Sequence, residues 1–283
     1  MPSSPSPSSS AQAARQALAD RLREIRLDVG LSARELSASA GWNQAKTSRI
    51  EHAQQPVTQA DIRTWCSACE ADDQAEDLIA SLRAVEGAYV EWRRVERTGL
   101  RRLQETYVPL YERTRWFRVY QSHVIPGFLQ TAGYAEALLG AITAFRNIPN
   151  DVGAAAAARV RRQRVLYSER RFVFLIEEAV LRYGVGDAGA MAGQLWHLLD
   201  AIAMPSVSLG IIPASVSARP MWTVEGFTIF DEAEVNVELL TAKITVTAPS
   251  EIAVYAKAFG ELSRLAVHGD AARALITLAI DAL

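Results

Sequence analysis

Apolar positions recur at helical spacing through the early part of the chain. Leu18, Leu22, Ile25 and Val29 form one stripe, and Gly30 follows as a stop signal. Ser32 then caps a second helix, with Glu35 three residues on as its reciprocal partner. Leu36 and Ala40 face inward in that helix, and Gly41 ends it. The pattern predicts a third helix from about Asn43 to Ala53 and a fourth from Thr58, its cap, to about Ala71. Residues 72–118 read as one or two long amphipathic helices interrupted at Gly99. Ile125-Pro126-Gly127 is a turn, Thr131 opens a helix carrying Tyr134 and Leu138, and residues 151–168 predict a helix rich in Ala and Arg.

The period then changes. Residues 172–177, 207–212, 227–230, 235–240 and 244–247 are short apolar or alternating runs rich in β-branched and aromatic side chains, and they predict strands. Two helices, over 250–267 and 270–282, close the chain. The expected fold class is α+β. An all-helical domain occupies 14–72, a helical connector 73–104, and a mixed α/β domain with a small sheet flanked by helices 105–283. The Pro- and Ser-rich opening, 1–13, reads as a disordered tail and lacks the charged and apolar parts of a secretion signal.

Composition narrows the class. With 283 residues, 49% hydrophobic and 22% charged, the chain is globular and long enough for more than one core. A net charge of −2 argues against a general polycation, but the charges are uneven. Between Arg83 and Arg118 there are nine Arg against five acids, whereas from Arg219 onward five basic residues face nine acidic ones. The first half is therefore the better nucleic-acid surface. Without an apolar run of about 18 residues, no membrane contact is expected, and two Cys give no disulfide framework. A reducing, cytoplasmic setting is the simplest expectation.

The informative segment is Leu31–Ala53. A helix-turn-helix needs a short helix, a turn containing Gly, and a second helix with a polar face slim enough for the major groove. Gly41 stands where the chain must reverse. At about 100° per residue, Thr47 and Ile50 of the third helix turn inward while Gln44, Ala45, Ser48, Arg49 and His52 turn outward, with Lys46 at the flank. Groove chemistry suggests roles for them. Gln44 suits an adenine edge, Arg49 a guanine or a phosphate, Ala45 a thymine methyl, and Ser48 and Lys46 phosphates.

Arg26, Gly30-Leu31-Ser32, Leu36, Gly41 and the run Gln44–Glu51 resemble the Xre class of lambda-repressor-like DNA-binding domains. The resemblance implies that Arg26 and Glu51 form a structural brace. Phage repressors of this class often carry Gln where this chain has Ala33, so phosphate contact there falls to Ser32 and Arg34. Further on, Tyr107–Glu112, Val124–Thr131, Arg159–Tyr167, Phe172–Ala179 and Gln194-Leu195 are similar to the C-terminal domain of WhiJ-like regulators. That resemblance implies an antitoxin-like organisation and a small partner protein encoded nearby.

Other signals are weaker. Cys66 and Cys69, a C-x-x-C beside Trp65, have no second pair to complete a zinc site and read as buried core thiols. The Arg159, Arg161, Arg162 and Arg164 run is either a solvated face or a site for an acidic ligand, a partner or DNA. Glu177 and Glu178, adjacent at a strand end, point to opposite faces and do not suit one acid/base site. With His52, His123, His197 and His268 scattered, neither metal, cofactor nor catalysis is expected. Trp92, Trp116, Trp196 and Trp222 with Tyr107, Tyr111 and Tyr134 are pocket, core or interface residues. The leading expectation is a homodimeric regulator of double-stranded DNA. An antitoxin-like protein that captures a small neighbour and a metabolite sensor are the alternatives.

Overall fold

The computed structural model describes residues 7–87, 89–92 and 96–283, with side chains described outside 7–14 and 83–91. Contacts divide the chain into two compact units: Met1–Tyr89 with Thr245–Glu251, and Val90–Ile244 with Ile252–Leu283.

The first unit contains α1 (Pro7–Asp28), α2 (Ala33–Ser39), α3 (Gln44–Glu51), α4 (Gln59–Ala68) and α5 (Ala75–Gly87). Leu18, Leu22 and Ile25 bring the α1 stripe to a core completed by Leu36, Ile50, Ile62, Trp65 and Cys66. Val29, placed on that stripe by its spacing, is 46% exposed, because α1 ends at Asp28. Gly30 takes φ +74°, and the amide of Leu31 turns back to the carbonyl of Arg26 at 3.1 Å. Two expectations change. The helix begins at Pro7, so residues 7–13 of the expected tail are helical, with Pro at a first position where its missing N–H costs nothing; residues 1–6 lie outside the described residues. The connector expected over 73–104 is not one element. Ala75, Leu78 and Ile79 of α5 lie in the first core, while Gly99 precedes a helix of the second unit.

The second unit is built on a sheet. Apart from Tyr89, Thr245, Val246 and Pro249–Glu251, which group with the first unit, its elements are β1 (Tyr89–Glu91), α6 (Leu100–Thr106), α7 (Val108–Arg113), β2 (Trp116–Gln121), α8 (Ala132–Arg146), α9 (Val152–Arg162) and β3 (Arg171–Glu177). There follow α10 (Ala188–Ile202), β4 (Val207–Ile212), β5 (Phe227–Phe230), β6 (Glu234–Glu238), β7 (Ala242–Val246), α11 (Pro249–Ser263) and α12 (Gly269–Asp281). Strand order is β1-β7-β6-β5-β2-β3-β4. The β2, β3 and β4 strands are parallel, joined by helical crossovers, whereas β5 runs antiparallel to both β2 and β6. Alternation sorts the faces: Phe117, Val119, Phe172, Phe174, Ile176 and Leu209 join Leu195, Leu198 and Ile276 in the main core. On the other face Tyr120 meets Phe227, which packs in turn on Tyr255 and Phe259 of α11.

The interior strand β2 lies where the residue pattern predicts helix through to residue 118. Arg118 is the reason. A charge between Phe117 and Val119 suits the polar face of a helix, but here the guanidinium is buried. It lies 4.1 Å from the Trp116 ring centroid and donates to the carbonyl of Asp231 at 2.7 Å. The Asp231 carboxylate in turn accepts from the backbone of Arg115 and Trp116, at 3.1 and 2.8 Å, which pins the start of the strand.

Candidate nucleic-acid interface

The turn between α2 and α3 is set by Gly41 at φ +66°, a conformation that disfavours a side chain even though the space beside it is open. Asn43 then caps α3, its Oδ1 accepting the amide of Ala45 at 2.8 Å. Ser32 and Glu35 form the reciprocal cap of α2, at 3.2 Å and 2.8 Å. Hydrogen bonds from Ser32 hold the Glu35 carboxyl below its ordinary range. Both helices of the motif therefore start at fixed points.

The inner side of α3 is locked three times over. Thr47 shares a buried hydroxyl hydrogen bond of 2.7 Å with Ser37 of α2. Ile50 is fully buried against the core that holds Leu36. Glu51 receives the Arg26 guanidinium in a two-point contact, Nε to Oε1 at 2.6 Å and an η nitrogen to Oε2 at 3.1 Å. The same guanidinium donates to the carbonyl of Leu31 at 2.6 Å, so Arg26 ties α1 both to α3 and to the entry of α2.

The outer side is open. Gln44, Ala45, Ser48, Arg49 and His52 are all exposed, as are Ser32 and Arg34 on the preceding cap and helix. Arg49 rests against Gln55, donating from Nε at 2.9 Å, and His52 Nδ1 lies 2.7 Å from the carbonyl of Ser48. Amide, hydroxyl and guanidinium groups thus line one solvent-facing strip beginning at a helix N-terminus. Lys46, grouped with them in the sequence, has other partners. Its ammonium pairs with Asp61 at 2.5 Å and lies 4.2 Å from the Trp42 ring centroid. Burial, the largest influence, pushes the Asp61 carboxyl up, but the bonds from Lys46 and Thr58 together bring it below its ordinary value. Asp61 is not among the expected site residues, although its place three residues after Thr58, in a reciprocal cap, is a signal for it.

Elsewhere, Cys66 and Cys69 are free and buried, and burial first of all pushes both thiols up to about 11. Glu177 and Glu178 take separate partners: the former accepts from Tyr120 and Arg219, the latter from the amide of Ala214 and from Arg182. The aromatics do not form one pocket, since Trp92 and Tyr134 are buried while Trp196 and Trp222 are exposed. Among the described residues no group of His, Cys, Asp and Glu is placed to hold a metal ion, and no helix is long and apolar enough to cross a membrane.

Residues 17–79 match the family described as a helix-turn-helix domain, a span covering α2, α3 and α4 and reaching into α5. Residues 104–278, more than half of the chain, match the family described as a domain of unknown function (DUF5753). The chain belongs to the DUF5753 family. No curated protein matches this DUF5753 chain. Among solved structures it is similar to TrmBL2, an archaeal chromatin protein whose structure was described as showing a novel mode of DNA binding. The identity is 12% over 84% of this chain and 88% of that chain, with a TM-score of 0.34, too low to establish a shared fold. The N-terminal part of this DUF5753 protein is a helix-turn-helix domain, the kind of module that DNA-binding regulators carry.

Proposed function

We propose that this protein is a sequence-specific DNA-binding transcriptional regulator of the Xre type that lays α3 in the major groove. The observation carrying this reading is the division of α3 into a locked inner side and an unobstructed outer strip of Gln44, Ala45, Ser48 and Arg49. Gln44 and Arg49 read base edges, while Ser32, Arg34, Ser48 and His52 meet phosphates and fix the register. Lys46 contributes charge at the flank while remaining tied to Asp61. A regulator of this kind works where the chromosome is, in the cytoplasm, and needs no catalysis.

A single short motif binds weakly, and a two-fold operator calls for a two-fold protein, so the DUF5753 part serves dimerisation and partner binding in the manner of WhiJ-like regulators. A small protein from an adjacent gene, as in antitoxin-like pairs, is the partner that this organisation suits. Genome-wide mapping of bound DNA tests the reading. Discrete sites with paired half-sites are expected, and uniform background occupancy would sink it. Sedimentation with and without a recovered site tests dimerisation, and a monomer in both states removes it.

A further inference from the structure

The second unit contains a groove of about 510 Å³ between α7 and the end of α9 that the regulator reading does not use. Arg161, Arg162, Arg164 and Arg170 line it, with Tyr111 and Val165 supplying an apolar wall. Its two acids are engaged. Glu105 pairs with Arg101, and Glu112 lies 3.7 Å from Arg164. Arg161 and Arg162 have no carboxylate partner among the described residues. The Arg162 guanidinium instead donates to the carbonyl of Gln104 at 3.5 Å and lies 4.8 and 5.3 Å from the ring centroids of Tyr107 and Tyr111.

The charge continues beneath the surface. Arg159, one helical turn before Gln163, is partly buried and donates to the neutral amide oxygens of Gln104 at 3.0 Å and Gln130 at 2.7 Å, with no carboxylate in an ion pair. Burial, and after it the neighbouring Arg162 charge, pulls its pKa down to about 10. Placing like charges together in a partly dry wall, with the charge of Glu238 as the opposing influence on Arg159, is unfavourable unless something further compensates them. An ordinary solvated arginine face has no such concavity and no such crowding.

We propose that this groove binds a small phosphate or phosphate ester, held by Arg161 and Arg162 and packed against Tyr111. Guanidinium forks match phosphate oxygens in two-point contacts, and the volume lies in the range of small-molecule pockets, roughly 300–1,000 Å³. The apolar wall accommodates a compact ring or chain beyond the phosphate.

Calorimetric titration of the full chain at low ionic strength tests this, using pyrophosphate, adenosine 5′-monophosphate and a random DNA duplex. Saturable binding of pyrophosphate or the nucleotide is expected. Tighter binding of the nucleotide assigns an ester, and tighter binding of pyrophosphate assigns an inorganic phosphate. Arg161→Ala, at an exposed position, weakens binding about tenfold, the loss of one charge-assisted contact. Arg162→Ala weakens it further, with circular dichroism as a check on folding. Arg49→Ala leaves it unchanged, which separates this site from the helix-turn-helix. No saturable response to either small anion, a response only to the duplex, or undiminished affinity in Arg161→Ala overturns the proposal.

Discussion

Arg26 and Glu51 decide more than any other pair whether the helix-turn-helix keeps its shape. Both side chains are buried and the contact is two-pointed, so removing either partner leaves a charge in a dry site. Arg26→Ala or Glu51→Ala should therefore lower stability by roughly 3–5 kcal/mol, measured by urea unfolding. A loss no larger than for an exposed pair such as Arg21–Glu24 would mean that the brace is not the lock described here. The thiols make a second case. Their pKa rises from an ordinary 9.0 to about 11 in the fold, so their contribution is complete below about pH 9 and is lost as pH climbs through 11. The urea midpoint should stay level from neutral pH to about 9 and then fall, and native Cys66 and Cys69 should resist alkylation at neutral pH. Rapid native-state labelling would contradict that. The outward assignment of Gln44, Ser48 and Arg49 was legible from residue spacing because α3 is regular. The Asp61 partnership of Lys46 was not, since nothing in a sequence reports which cation a capping carboxylate will also meet.

At the level of elements, caps and turns were the most readable features. Ser32 with Glu35, Thr58 with Asp61, and Thr131 before α8 each hold the amide expected of a cap. Ser32→Ala should cost about 1 kcal/mol in thermal unfolding, and Gly41→Ala a similar amount because φ +66° disfavours a Cβ. Strand β2 was unreadable for a definite reason. Its polar residue is buried by tertiary partners, Trp116 and Asp231, that lie outside any local window. Helix α10 was likewise passed over, as Met191, Leu195 and Leu198 fall among runs rich in apolar residues. Asp231→Ala should loosen the start of β2, since it removes the acceptor for two backbone amides and leaves its own left-handed backbone, φ +53°, to a residue that tolerates it poorly. Hydrogen exchange should show faster exchange at Arg115 and Trp116, and unchanged protection there would refute that role.

Across the whole molecule, the α+β class and the N-terminal motif followed from the change of hydrophobic period, helical early and alternating late. The placement of α5 did not follow, because Ala75, Leu78 and Ile79 repeat like any amphipathic helix and only packing shows which core they join. The aromatic residues were ambiguous for the same reason: Trp196 and Trp222 are exposed while Trp65 is in a core. The central claim concerns the solvent-facing strip of α3, and fluorescence anisotropy with a recovered genomic site tests it most directly. At near-physiological salt the unaltered protein should bind that duplex tightly, and Gln44→Ala and Arg49→Ala should each lose about 1–3 kcal/mol of discrimination over a scrambled duplex while remaining folded. Both variants discriminating as well as the unaltered protein would show that α3 does not read the DNA.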